Sequence, residues 1–216
     1  MAVTLHTMSG SPYGWRVWLA LVHKGVPHAI NTLSYDAGDF TAPDFAALNP
    51  RRRVPVLEDE GFALYESAAI VEYIADRWPG EPHLFSPEPR QRAIERRMIR
   101  EADQYFAEQL EHLVQSVFYT PPERRVQATV DAAWEGMRRE LALWEGLIRG
   151  PFLAGALSAA DFTLFPEIAL GFRIAARNPG LVTGDLLGPG LAAWYGRMLE
   201  LPVVRQTWPS HWAGSY

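Results

Sequence analysis

"SGSPYGWRVW", residues 9–18, marks a hand-over: a short β-like run, "AVTLHT" (2–7), stops and an apolar helical period begins. Pro12 suits the first helical position, where a missing N–H costs nothing, and this makes Ser11 the N-cap. Trp15, Trp18, Leu19 and Val22 then recur at helical spacing until Gly25 gives a stop. The spacing predicts a strand, a tight turn and a helix whose positive end carries a hydroxyl. Two roles fit that hydroxyl: closing the helix end alone, or closing it while also facing an anion.

Reading outward, "HAINTL" (28–33) is a second strand and "APDFAALNP" (42–50) a short helix ended by Asn49-Pro50. "VPVLE" and "FALYE" flank "DEG" (59–61), a hairpin signature. Helical period returns over 67–78 through Ile70, Ile74 and Trp78, and "WPGEP" closes the unit. The order βαβαββα predicts a mixed sheet covered by helices. Little strand character follows. One long helix is expected through Ile94, Met98, Ala102, Tyr105, Leu110, Leu113 and Val117, then a break at "TPPE" (120–123). A second runs through Val130, Trp134, Met137, Leu141 and Trp144, a third starts at Ser158, and a fourth lies near 188–200. Ser158 and Asp161 have the N-cap and N3 spacing of a capping box, with Leu157 and Phe162 placed for a hydrophobic staple. The expected organisation is an α/β domain over 1–79, a connector over 80–89 and an all-α domain over 90–216.

Composition removes several function classes. The 216 residues carry a net charge of −5, which argues against a nucleic-acid partner held through phosphates. The Arg-rich "RQRAIERR" (90–97) alternates with apolar residues and reads as the wet side of a helix. Without cysteine there are no disulfides, thiolate nucleophiles or Cys-ligated zinc, and the six His lack metal-ligand spacing, so no metal is expected. The N-terminus shows no secretory pattern. The most apolar stretch, "DFTLFPEIALGFRIAA", is broken by Pro166, Glu167 and Arg173, and reads as a buried helix, not a membrane span. A cytoplasmic protein is expected.

Four stretches in order, "SPYGWRVWLAL" (11–21), "NPRRRVPVLEDEG" (49–61), "LYESAAIVEYIADRWP" (64–79) and "LSAADFTLFPEI" (157–168), resemble the serine-type cytosolic glutathione transferase family along nearly the whole chain. The resemblance implies a thioredoxin-like N-terminal domain, an all-helical C-terminal domain, a homodimer, and glutathione as co-substrate. It also implies a cis bond at Val54-Pro55, leaving the Val54 backbone free to pair with the cysteinyl part of the tripeptide as an added strand would. Glu66 would pair the γ-glutamyl ammonium, and Ser67, at a helix N-terminus, would receive the neighbouring carboxylate. Arg53 would meet the glycine carboxylate, with Arg51 and Arg52 as competitors.

In that frame Ser11, followed by Arg16-Val17, is the catalytic hydroxyl. It is a donor and not a nucleophile. A free thiol has a pKa near 8.5, and a hydroxyl donor plus a helix's positive end favours its anion. Ser9 is the runner-up and Tyr13 a third option. Asp103 would reach towards the partner subunit's glutathione. The electrophile pocket is expected between the first loop, the helix near 105–118 and the chain end, with Met8, Phe106, Tyr119, Phe172 and Trp208 as candidates. The tail "TWPSHWAGSY" (207–216) is expected to fold back over the site or the domain junction. Two other functions stay open. A maleylacetoacetate-type isomerase would use the same thiolate, although its usual S-S-C signature is here Ser11, Pro12 and Tyr13. A non-catalytic binding or regulatory protein would keep the fold alone.

Overall fold

The computed structural model describes residues 3–212 except 179, 182 and 185. Its N-terminal part runs β1 (Val3–Thr7), α1 (Pro12–His23), β2 (His28–Thr32), α2 (Pro43–Leu48), β3 (Val56–Asp59), β4 (Phe62–Tyr65) and α3 (Ser67–Arg77). The four strands form one sheet in the order β2-β1-β3-β4. β1 and β2 are parallel, with Leu5 opposite Ile30, and the other two pairings are antiparallel. A parallel pair needs a crossover, and α1 supplies it. The β3–β4 hairpin closes through Glu60 and Gly61, both at positive φ (52° and 86°), as a two-residue turn matched to strand twist requires.

The C-terminal part is helical: α4 (Pro89–Glu101), α5 (Ala107–Val114), α6 (Gln127–Glu145), α7 (Ala159–Ala176), α8 (Pro189–Glu200) and α9 (Pro202–Thr207). The long helix expected through Ile94 and Val117 is one rod from Pro89 to Tyr119, interrupted by π-helical turns at Ala102–Phe106 and Gln115–Tyr119. α9 follows Leu201-Pro202 directly and was not anticipated, because the helical period near 188–200 gives no sign of a second short helix beyond it.

α7 is the central helix of this part, buried at nearly every position. Its capping box is present, and Asp161 does more than close the first turn. Its carboxylate accepts from the Ser158 N–H (2.9 Å), the Leu153 N–H (2.9 Å) and the Trp194 indole N–H (2.8 Å). Burial pushes this carboxyl up to about 6, against those hydrogen bonds, which favour the anion.

One apolar core runs through both parts of the chain, from Leu5 and Trp15 to Phe165 and Trp194. α1 lies against α7, and the Trp15 indole N–H donates to the buried Thr207 hydroxyl at 2.8 Å. The stretch joining α3 to α4 is itself packed: Leu84 and Phe85 are buried, and Lys24 Nζ donates to the carbonyls of Gly80 and Pro82. None of the described helices is long and apolar enough to cross a membrane.

Candidate active site

The hydroxyl of Ser11 sits at the N-cap of α1, with its backbone extended (φ −68°, ψ 121°) and Pro12 in the first turn. It accepts from the Gly14 N–H at 3.4 Å, a long bond that leaves the hydroxyl proton available to a ligand. No acidic residue lies in the first turn, so the helix's partial positive charge is not offset there. Gly14 makes this geometry possible. A Cβ at that position would come within 1.8 Å of the Thr7 hydroxyl, so α1 could not approach β1 this closely.

Ser11 opens onto a cavity of about 450 Å³ between the two parts of the chain. One wall is Met8–Tyr13 with Arg53 and Val54; the other is Leu110, Val114, Phe118 and Tyr119 of the long rod, with Leu170 of α7. Tyr35 and Phe40 close one end, and Arg173, Arg177, His211 and Trp212 the other. Its lining holds one carboxylate, Glu111, against the guanidinium groups of Arg53, Arg173 and Arg177. The electrostatics of the wall are therefore basic.

Ser9 also faces this cavity, but its hydroxyl is engaged with His211 Nδ1 at 2.9 Å. Tyr13 lines it too; burial, and then the nearby Glu167, push its phenol above the ordinary range, so it keeps its proton. Val54-Pro55 is cis. Among the described residues the Val54 N–H and C=O make no backbone hydrogen bond, and Val54 is in the cavity wall. Buried Asn49 shapes the approach, donating to the Arg53 carbonyl (2.8 Å) and accepting from the Arg51 N–H (2.9 Å). Arg53 lines the cavity whereas Arg51 and Arg52 do not.

Glu66 and Ser67 stand one step further along the sheet edge. Val56 is opposite Tyr65, so the strand ends bring Val54-Pro55 and Glu66-Ser67 to the same end of the sheet, although neither Glu66 nor Ser67 lines the cavity itself. Glu66 is the N-cap of α3 at φ 71°, ψ 102°, without a side-chain capping bond, and Ser67 is the first helical residue, buried. A non-glycine residue at such a φ costs of order 1–3 kcal/mol and is found preferentially at ligand clamps.

Several expected residues lie elsewhere. Phe106 is fully buried in the core, Phe172 packs against Tyr195 (centroids 5.3 Å apart), and neither lines the cavity. Trp208 lines a separate cavity of about 410 Å³, with Trp15 and Trp18, on the other side of the Met8–Ser11 loop. Met8 and Tyr119 do line the main cavity. Asp103 is turned inwards. Its carboxylate takes both Arg16 Nη atoms, at 2.5 and 3.3 Å, which ties α1 to the rod within the chain. Of the tail, His211 and Trp212 line the main cavity, residues 207–210 line the second one, and 213–216 lie outside the described residues. Tyr35, Phe118 and Arg177 were missed; only the conjunction of three chain segments brings them together. No group of metal-ligating side chains occurs among the described residues.

A thioredoxin-like sheet joined to a helical domain, with a cavity at their junction, is an architecture that known proteins share. Residues 10–77 match the model for the glutathione S-transferase N-terminal domain, and 127–197 that for the C-terminal domain. Glutathione S-transferase 4 of Zea mays is 32% identical over 95% of this chain and 91% of its own. A maleylacetoacetate isomerase of Pseudomonas aeruginosa is 42% identical over 96 residues, 43% of this chain and 44% of its own. The theta-class glutathione S-transferase of Xanthomonas axonopodis pv. citri, solved with glutathione bound, superposes with a TM-score of 0.82 at 27% identity, covering 96% of this chain and 97% of its own. The chain belongs to the glutathione S-transferase family.

Proposed function

We propose that the protein is a glutathione transferase that holds the tripeptide thiolate for attack on a small apolar electrophile. The carrying observation is the Ser11 hydroxyl, at the acid-free end of α1, opening onto the cavity between the two parts of the chain. In this reading the cysteinyl backbone pairs with Val54, Glu66 and Ser67 take the γ-glutamyl zwitterion, and Arg53 takes the glycine carboxylate. The thiol then lies near the N-terminus of α1. Ser11 donates to its sulfur, and each pKa unit of lowering corresponds to about 1.4 kcal/mol of preference for the anion. The sulfur forms a bond to the electrophile, and the displaced group leaves with the electron pair. Tyr119, Phe118 and Met8 bound the space for the acceptor. A cytoplasmic homodimer acting on toxic electrophiles is part of this proposal, and size-exclusion chromatography tests the dimer.

Ser11→Ala tests the core of it. The thiolate absorbance of bound glutathione, titrated against pH, should move up by about one pKa unit or more, with kcat falling about tenfold and glutathione affinity little changed. An unaltered thiol pKa in the variant removes Ser11 from its role.

The basic cavity wall favours a second reading, glutathione-dependent isomerisation of a cis-maleyl diacid, whose carboxylates would meet the arginines of that wall, Arg177 among them. Relative turnover of a chlorodinitrobenzene-type electrophile and a maleyl diacid separates the two.

A further inference from the structure

Thr207, fully buried, accepts the Trp15 indole N–H, and from there the chain turns back to Ser210–Trp212. Trp212 is buried, edge-on to Trp15 and to Trp208 at 5.7 and 6.0 Å between centroids. It comes to rest on Gly10. A Cβ there would lie 3.0 Å from the Trp212 indole nitrogen and 3.2 Å from a His211 ring carbon. Gly10 also has φ +83°, so two independent demands, backbone and contact, require glycine at this point. Beside it the Ser9 hydroxyl meets His211 Nδ1 at 2.9 Å, across 202 residues of chain. Arg173 Nη2 donates to the His211 carbonyl at 3.1 Å, fixing the turn from the α7 side.

These contacts bear on the four residues that deliver the catalytic hydroxyl. The Met8–Ser11 loop is closed by the Ser11 N–H donating to the Met8 carbonyl at 3.0 Å, and its glycine allows many conformations when unsupported. β1 and α1 hold its two ends; the C-terminal turn is what meets its middle. We infer that the turn Ser210–Trp212 is a positioning element of the thiol site, with His211 holding Ser9 and Trp212 seated on Gly10 so that Ser11 is presented to the sulfur. The inference rests on the reading of Ser11 given above. His211 is a positioning residue here, acting on the thiol through Ser9 and the loop. The groups facing its ring are Ser9 on the loop, Arg173 on α7 and Arg177 at that helix's C-cap; burial and those two arginines lower its proton affinity, so the neutral ring is favoured.

The experiment compares His211→Ala, Ser9→Ala, their double variant and His211→Asn, whose amide reaches the place of Nδ1. Two readouts are taken on the full chain: the pH titration of thiolate absorbance with saturating glutathione, and amide hydrogen exchange of the peptide spanning 8–11 without it. Loss of one hydrogen bond predicts a thiol pKa raised by roughly 0.5–1 and kcat lowered roughly threefold to tenfold in each single alanine variant. The double variant should be no worse than either single one, because both remove the same contact. His211→Asn should restore most of the wild-type pKa, and exchange over 8–11 should be about tenfold faster in His211→Ala. Additive effects in the double variant, or a wild-type thiol pKa in both single variants, overturn the inference. Should wild type itself show no thiolate band, the Ser11 reading fails. The exchange readout then decides the turn's hold on the loop: unchanged exchange overturns it, faster exchange supports it.

Discussion

Replacing Glu167 by Gln should remove a loss of stability that develops as pH rises from about 4.5 to about 8. Glu167 lies on α7, 1% exposed, and neither carboxylate oxygen has a hydrogen-bond partner among the described residues. Burial raises its pKa from 4.5 to about 8; Arg16 opposes this and Asp103 adds to it. In the unfolded chain the same group ionises near 4.5, so between these values the unfolded state binds fewer protons and stability falls as pH rises. Below the lower value both states are protonated and the effect vanishes. Each pH unit across the window costs about 1.4 kcal/mol. Between about pH 5 and about pH 8 the stability of Glu167→Gln relative to wild type should therefore grow by about 3 kcal/mol. Urea unfolding of both proteins at equal concentration, at intervals across that range, measures it. Other titrating groups, Asp161 among them, cancel in the difference. Parallel stability curves for the two proteins would refute the buried, proton-retaining Glu167.

Other expectations follow from single contacts. Asp161→Ala strands the buried N–H groups of Ser158, Leu153 and Trp194, and thermal or urea unfolding should show a loss of about 3–5 kcal/mol. Gly14→Ala drives a Cβ into Thr7 at 1.8 Å, and should depress both stability and kcat because β1 and α1 must separate around Ser11. Arg16→Met leaves Asp103 facing an apolar chain and should cost about 3 kcal/mol, part of which returns when Asp103→Leu is added. At the cavity end, Tyr35 stacks on Phe40 at 4.1 Å and meets Tyr119 edge-on at 6.3 Å. Tyr119→Leu should lower kcat/KM for a flat aromatic electrophile roughly threefold to tenfold and leave a small aliphatic one nearly unaffected.

How far the chain can be read without coordinates depends on whether the controlling interaction is local. The βαβαββα order follows from periods of two and 3.6 and from turn residues, all set within a few positions. Ser11 at its cap, and Ser158 with Asp161, are equally local, since capping joins residues three apart. The long rod shows where this logic stops. A π turn inserts one residue into the helical count and rotates everything beyond it by about 100°. Counting faces through Ala102–Phe106 therefore carries no reliable orientation, and Phe106, expected in the pocket, is core, while Tyr105 beside it is 54% exposed. The cavity wall is harder still, because it is assembled from Tyr35, Phe118 and Arg177, each unremarkable in its own segment. Asp161 shows both regimes in one side chain: its bond to Ser158 is legible from spacing, its bond to Trp194 is not. Ser11 repeats the lesson at the site itself. Its place on the helix is fixed by its neighbours, but the direction its hydroxyl faces depends on Thr7 leaving room only for Gly14, and on Gly10 fitting against a tryptophan from the other end of the chain.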